Sequence, residues 1–575
     1  MSRKKPDPAS ATDSQINAAR AGAKPFRPRI VTPPEEPPEP QGAAPGELPD
    51  IRVTVDMAAI VNAAESALLD KRPRAPLYQR GGRLVRVITD ARQPKLVDRP
   101  LGSPTIDNVP EAHLTELCSR AACWWTWDSR KNPPDWKPSR PPQWVAPTLA
   151  ARGSWRFPPL TAVIQAPTLR PDGTVLDRPG YDESTGLLFL PGAVKWPTVP
   201  KAPTREQAHD ALTVLGEAFT DFPWLDDRCD RAAAIAAVLS LLARHAIAGP
   251  VPMFAARAST AGTGKSLLAD VVSTIGTGRR AARMAPPRDR DRDEERKRLI
   301  SLAGAGDPFV LIDNIAPGRP FGSEALDGAL TSMEVSDRVL GKNTGKAILT
   351  LPWTAVVMVT GNNLTFRSDT GRRVIPVDLE ANEEHPEERT GFTHDPLLPW
   401  VASERPRLVT AALTALRAYF IARCPRHNLT PFGSFEAWSD LVREALVWAG
   451  LPDPCESRLR IRAESDPERD DLSAALTAWY CTWKDAPMTL AAVLRTLKED
   501  RGDELPLGDE PGPEAGAADL KTALQALCPG AGKELSARTL GTALRSNRGR
   551  IVGGLRFASR GKRHGAALWC VENIK

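Results

Sequence analysis

What this 575-residue chain lacks sets the first limits. No apolar run reaches the ~18 residues that a membrane-crossing helix needs. No charged-then-apolar leader opens the sequence, so the expectation is a cytoplasmic protein. The eight cysteines are scattered, without the paired spacing of a disulfide framework, and thiols in such a chain stay reduced. His113, Cys118 and Cys123 come nearest to a metal cluster, but three ligands at loose spacing fall short of the set that zinc takes. No acidic pair stands in a setting that reads as a primase or polymerase metal site. Proline, by contrast, is in excess: 56 residues, against a background of about 5%. That excess implies linkers and irregular surface. With 41% hydrophobic and 25% charged residues the chain can bury large cores. It is longer than the ~250–300 residues at which single cores stop growing, so several domains are expected. The net charge of +6 is mildly basic, compatible with nucleic acid.

Residues 1–50 are rich in Pro, Ala and charge, and cannot bury enough surface to fold. They read as a disordered tail. From 51 to 202 a mixed α/β domain is expected. IRVTVDMAAIVNAAESALLD reads as a strand running into a helix, and LYQRGGRLVRVI as a hairpin about Gly81-Gly82. Pro171-Asp172-Gly173 and Gly180-Tyr181-Asp182 carry turn chemistry between short strands. Trp124, Trp125 and Trp127 have the ring faces to stack on bases, but aromatic clusters this dense are more often core, and core is the expectation. Residues 203–250 are helical, with Pro203 and Thr204 as a start signal.

The organising stretch is VPMFAARASTAGTGKS, from Val251 to Ser266. A buried-strand pattern breaks into a small-residue loop, then Gly264-Lys265-Ser266 opens a helix. Strand, loop, Lys-Ser and helix in that order cradle a triphosphate. Backbone N–H groups of Ala261, Gly262, Thr263 and Gly264 face phosphate, Lys265 reaches the β/γ oxygens, and Ser266 holds Mg²⁺. The first glycine of the usual pattern is here Ser259; the plain alternative is a glycine-rich turn with a chance lysine. Asp293–Leu302 reads as a solvated, charged helix. The run Phe309–Ile312 then ends in Asp313, placed as a Walker B carboxylate holding the metal's water shell. Asn314 follows it and cannot take a proton, so the general base is open. Arg338 to Leu351 reads as a hairpin about Asn343-Thr344-Gly345, with Lys342 and Lys346 at its tip for DNA phosphates or for solubility. A second buried strand ends at Asn362, matching a sensor 1 amide. Arg372 and Arg373 precede another strand, as an arginine finger or as a structural pair with Asp369 or Asp378.

The series AGTGKS, VLIDN, DRVLGKNTGK, VTGNN and DTGRRVIPVDLE resembles the superfamily 3, AAA+ class helicases. EEHPEERTGFTHDPLLPWV and GSFEAWSDLVREALVWAGLPDP extend the likeness. More closely it is similar to the replication helicases of phages, plasmids and integrated elements, related to poxvirus-type helicase-primases. The resemblance spans about residues 205–460, and more loosely GYDESTGLLF upstream. Ser259 and Asn314 depart from the pattern. It implies an ATP- and Mg²⁺-dependent DNA helicase or translocase, with a separate primase or polymerase as a partner; a ring, expected as a hexamer, follows from an Arg372 or Arg373 finger that needs a neighbour's ATP to act upon. The alternative is an origin-binding initiator or loader that remodels DNA without processive unwinding; a third is a DNA-binding adaptor with a degenerate ATPase.

Residues 461–515 read as a helical connector and acidic linker, and 516–575 as helix, helix and hairpin in winged-helix order. From Lys533 to Lys575 there are ten Lys/Arg against two acids, more than the whole chain's excess. Arg538 and Arg545 on a helix, with Arg560, Lys562 and Arg563 on a basic wing, form a duplex-phosphate footprint; docking on the acidic linker is the plainer alternative. The fold class expected is α/β, an AAA+ P-loop ATPase core over 203–460 between a mixed α/β N-terminal domain and a C-terminal winged helix.

Overall fold

The computed structural model describes residues 48–70, 76–89, 97–98, 100, 102–286, 292–318, 320–338, 348–464, 467–499, 513–528 and 535–574. Residues 1–47 of the expected disordered tail and the acidic linker up to residue 512 lie outside them; Asp50, expected in the tail, opens a strand. No helix among the described residues is long and apolar enough to cross a membrane.

The chain divides into two compact units, 1–75 with 111–151, and 76–110 with 152–575. This corrects the single N-terminal domain expected over 51–202. In the smaller unit, strand Asp50–Val53 pairs parallel to Cys123–Asp128, which pairs antiparallel to Asp135–Ser139. Ile51 and Trp124 are buried with Leu114, Leu117 and Cys118 of helix Glu111–Ala121. The expected strand-to-helix passage is present as Asp50–Val53 followed by helix Met57–Asp70.

The larger unit is built on a mainly parallel sheet. Its helices and strands are α1 (Arg205–Gly216), α2 (Cys229–Leu242), β1 (Met253–Ala258), α3 (Lys265–Thr277), β2 (Ala282–Met284), α4 (Arg292–Ala305), β3 (Phe309–Ile315), α5 (Glu324–Leu330), β4 (Glu334–Arg338), β5 (Ile348–Pro352), β6 (Val356–Asn362), β7 (Val374–Leu379) and α6 (Leu397–Ile421). The strand order is β7-β1-β6-β3-β2, with Val97–Asp98 as an antiparallel edge. Period-two alternation sends Phe254, Ala256, Leu311, Met358 and Ile375 into one core with α2, α3 and α6. Met253, Ala255, Val310, Val357 and Val374 go into the other, with Leu299 of α4 and Leu326 of α5. The result is a helix–sheet–helix sandwich. α4 is therefore not the solvated helix expected, since Glu295, Leu299 and Leu302 are buried.

Thr204 caps α1 in a capping box with Gln207, which explains the start signal read there. Tyr78–Arg80 and Arg83–Ile88 form the expected hairpin, with positive φ at both Gly81 and Gly82 as a two-residue primed turn requires. That hairpin belongs with the larger unit because Arg80, 5% exposed, donates to the carbonyls of Ala303, at 2.6 Å, and Gly304, at 3.1 Å. Gly180–Asp182, read as a turn, is instead a strand paired with Leu187–Phe189.

Near the C-terminus come α7 (Pro467–Trp483), β8 (Met488–Thr489), α8 (Leu490–Glu499), α9 (Pro513–Ala526), α10 (Ala537–Ser546), β9 (Leu555–Arg563) and β10 (Ala566–Asn573). The three strands form a sheet in the order β8-β10-β9. Leu472, Leu476 and Trp479 of α7 share one core with Val493, Leu524, Leu540, Phe557 and Trp569. The stretch expected as a connector thus supplies part of this core.

The carbonyl end of α3 is held by Arg405 of α6, 5% exposed. Its guanidinium donates to Ile275 O at 2.9 Å, Gly276 O at 3.2 Å and Gln165 O at 2.9 Å, and lies over the Trp196 ring. A cation at that end also opposes the helix dipole. Arg405→Met strands these buried carbonyls, and should lower stability by about 2–4 kcal/mol, read as an earlier unfolding transition in denaturant.

Candidate active site

The site forms where three neighbouring parallel strands end. β1 stops at Ala258, and the chain turns through Ser259–Gly264 into α3, whose N-cap is Gly264 at φ +89°. Gly262 sits at φ +77°, and a Cβ built on it would lie 2.5 Å from Glu387 Oε2. Both positions call for glycine, the first for its φ and the second for φ and close approach together. The first N–H groups of α3 have no partner within the helix and face this loop. Lys265 curls back over the loop, its Nζ donating to Thr260 O at 2.8 Å and Thr263 Oγ1 at 2.9 Å. Burial pushes its ammonium below the usual lysine range.

Asp313 is aimed at the helix start by a break in strand pairing. The β3–β6 register shifts between Ile312 and Ile315, and Asn314 takes φ +58°. A bulge of this kind re-aims a side chain at a sheet's edge. Asp313 Oδ1 accepts from Ser266 Oγ at 2.7 Å and from Thr360 Oγ1 at 2.6 Å. Thr360 Oγ1 in turn accepts from the Asn314 N–H at 2.9 Å. Arg283 of β2 lies 3.2 Å from Asp313 Oδ2 and donates to Asp270 Oδ2 at 2.9 Å. The Asn314 side chain is exposed. Asn362 pairs in register with Ala258, and its buried Oδ1 has no hydrogen-bond partner. A cavity of about 300 Å³ adjoins the loop at Ser259, with Arg257, Asn363 and Glu380 in its wall.

Ala261, Gly262, Thr263, Gly264, Lys265, Ser266, Asp313 and Asn362 are therefore brought together. The donors suit an anion at the loop, and the hydroxyl–carboxylate pair of Ser266 and Asp313 suits a hard cation that prefers oxygen. Among the described residues there is no group of three or more His, Cys, Asp or Glu able to hold a metal alone. A cation here would need oxygens from the anion too.

Arg372 and Arg373 differ in setting. Both ion-pair with Asp369, but Arg373 is 19% exposed and also faces Asp327 at 3.7 Å. Arg372 keeps 76% of its side chain exposed, and Arg458 donates to its carbonyl at 2.9 Å. Asp378, the other expected partner, is taken by Arg257 and Arg460.

β4 and β5 are the arms of the expected hairpin, paired from Glu334↔Pro352 to Arg338↔Ile348. Its tip, with Lys342 and Lys346, lies outside the described residues. In the C-terminal core Arg538 and Arg545 are exposed on α10. Arg560, Lys562 and Arg563, expected in a loop, lie in β9 instead, and Arg560 pairs with Glu572 at 3.2 Å. Thr360, Arg283 and Glu387 were not singled out from the sequence.

No family model matches the chain, and no curated protein matches it. Similar solved structures include the A form apo structure of the NrS-1 C-terminal region, 11% identical over 88% of this chain and 98% of that one, at TM-score 0.38. Another is JCV helicase, 12% identical over 49% of this chain and 72% of that one, at TM-score 0.19. Likeness this distant carries no argument about fold or activity.

Thr360 is the hinge of the hydrogen bonds around Asp313. Thr360→Val leaves the Asp313 carboxylate short of a donor and the Asn314 N–H without an acceptor. It should cost about 1–3 kcal/mol in chemical denaturation, with Thr360→Ser close to the parent.

Proposed function

We propose that the protein is an ATP-dependent DNA helicase or translocase acting in the replication of a mobile element. The observation that carries this reading is the meeting of the Lys265 loop with the Ser266–Asp313–Thr360 hydrogen bonds at the strand ends. ATP is the substrate. Its phosphates would lie on the N–H groups of residues 261–264 with Lys265 against the β/γ oxygens. Mg²⁺, held by Ser266 and Asp313, would neutralise charge on those oxygens. Asn362 would present its amide to the γ-phosphate or the attacking water, and Asn314 cannot serve as the base.

Of the two arginines, the exposure of Arg372 supports it as the finger that reaches a neighbouring subunit's nucleotide, with Arg373 anchoring the segment through Asp327 and Asp369. Such a role makes the working form a ring, and a hexamer is the size proposed. Lys342 and Lys346 would follow the strand in the channel. The C-terminal unit would act as a winged helix, holding duplex through Arg538 and Arg545 on α10 and Lys562 and Arg563 on β9. Arg560, engaged by Glu572, contributes less.

ATP hydrolysis with and without single-stranded DNA, beside strand displacement from a forked duplex, tests the reading. DNA-stimulated hydrolysis with displacement is the expected result; stimulation without displacement favours the initiator or loader, and no hydrolysis leaves a DNA-binding scaffold. Lys265→Ala should cut turnover at least about a hundredfold. Lys342→Ala with Lys346→Ala should keep basal hydrolysis and lose its stimulation by DNA. Arg372→Ala should bind nucleotide and lose about a thousandfold in turnover, with Arg373→Ala showing its loss in stability instead. Mixing Arg372→Ala with Lys265→Ala subunits should restore part of the activity, since each then supplies what the other lacks; no recovery at any ratio would rule out a finger acting across subunits.

A further inference from the structure

The smaller unit offers a surface that the proposed ATPase does not use. Among the described residues its three-stranded sheet has one face covered and one with an exposed ring, Trp127. Trp124 points to the covered side, 3% exposed, with its indole N–H donating to Cys118 O at 2.9 Å. Alternation along the strand sends Trp125 and Trp127 to the other side. Paired residues share a face, and the register pairs Arg52 with Trp125, Pro138 with Trp125, and Trp136 with Trp127. One face thus carries Arg52, Trp125, Trp127, Trp136 and Pro138.

The rings on this face are ordered. Trp127 and Trp136 meet edge to face with centroids 5.4 Å apart. The Arg52 guanidinium lies 5.5 Å from the Trp136 centroid. The Trp125 indole N–H donates to Asp50 Oδ1 at 2.8 Å, which fixes that ring. Of the fifteen tryptophans in the chain, Trp127 is the only exposed one, at 40%. An indole left partly in water, beside a second ring held edge to face, offers a flat apolar surface on which another ring can stack.

Charge decides which partner. Residues 123–140 hold four basic residues against two acidic, although the smaller unit's described residues as a whole carry more acid than base. Arg130 and Lys131, on the turn beside the rings, pair loosely with Asp128 at 3.4 Å and Asp135 at 3.6 Å, yet keep 85% and 50% of their side chains exposed. Arg140, just past the last strand, is exposed as well. Flat π-faces bordered by cations are what unpaired bases on a phosphate backbone need: the rings take the bases in any sequence and the cations take the phosphates. A duplex, with its bases stacked inside, gains nothing from the rings.

We infer that this face is a binding platform for single-stranded DNA, with a base stacked on Trp127 beside the Trp136 ring that Arg52 covers, and phosphates met by Arg130, Lys131 and Arg140. The choice of DNA over RNA rests on the function proposed above; the stacking itself does not. A strand held here would be a second contact, separate from the channel hairpin and from the C-terminal unit.

The test uses the full chain and an oligo-dT of about 16 nucleotides, carrying 5-iododeoxyuridine for photocrosslinking. The expected adduct lies on Trp127 or Trp136. Adducts confined to other residues would overturn the inference, and a stronger adduct at the same tryptophans with oligo-rU would overturn the choice of DNA. In parallel, Trp127→Ala should weaken oligo-dT binding about ten- to a hundredfold, with Trp127→Tyr near the parent and blunt-duplex affinity unchanged in both. Equal weakening for duplex, or none for oligo-dT, counts against the platform. Should the alanine variant unfold, the crosslink in the parent chain decides alone. ATP hydrolysis is followed separately: an adduct at Trp127 without DNA-stimulated hydrolysis upholds the platform and removes the helicase reading, and the reverse result does the opposite.

Discussion

Arg257 stands one residue before the end of β1, a strand buried along its whole length, where a lone charge would cost several kcal/mol. What makes it tolerable is Asp378, directly opposite in the β1–β7 register, which accepts from the guanidinium at 2.7 and 2.9 Å. Arg460 reaches the same carboxylate at 2.6 Å and also pairs with Asp230, whose burial holds its carboxyl up at about 6. Asp230 Oδ1 takes the Asp378 N–H at 2.9 Å, so the pair is tied to α2 as well. A slip of one residue would turn Arg257 away from Asp378 and leave its guanidinium buried without that carboxylate, which Arg460 would keep. The pairing therefore fixes where β1 ends. Because β1 also pairs with β6, Ala258 is set beside Asn362 and the loop starts level with the strand ends that carry Asn362 and, through β3, Asp313.

With the level fixed, the chemistry comes from four different elements. α3 gives Ser266, β3 gives Asp313, β6 gives Thr360 and β2 gives Arg283. Asp313 is the acid bonded to the start of α3, and its charge is answered by Arg283. That guanidinium has Asp270, 5% exposed, as its second partner. A cation arriving at Asp313 can therefore take over the carboxylate without stranding Arg283 in a buried place. Glu387 bears on the same point from above the loop. A carboxylate next to Gly262 is a poor neighbour for phosphate, so segment 386–388 must shift its charge aside when an anion enters.

The residues legible in the sequence were those whose order along the chain carries the meaning. A loop between strand and helix places Lys265 and Ser266 whatever else the fold does, and an apolar run ending in Asp places Asp313. Thr360 gave no such signal. Inside an apolar strand it reads as one more β-branched residue, and only the bulge at Asn314 turns its hydroxyl into a bridge. Arg283 lies in a strand of three residues beside a highly charged stretch, where a functional arginine looks like any other. Domain limits failed for a related reason. The partners of Arg80 lie in α4 and β5, and those of Trp479 in β9 and β10. Docking at that distance along the chain leaves no local pattern, so turn-rich and helical texture were grouped with their sequence neighbours instead.

The docking of the Tyr78–Arg80 hairpin also bears on how the β4–β5 arms are held against the sheet. Arg80 joins the last carbonyls of α4 to Pro352 O, at 3.4 Å, at the foot of β5. Burial lowers its guanidinium to about 10, which leaves it charged at neutral pH. Gly81 presses on the same strand: a Cβ there would lie 2.7 Å from Leu351 Cδ2 and 3.0 Å from Thr350 O. The arms that lead to Lys342 and Lys346 are thus clamped at their base between α4 and the Gly81 turn. A two-stranded arm alone is marginally stable in water. Bracing of this kind holds the described part of the arms in place at their base.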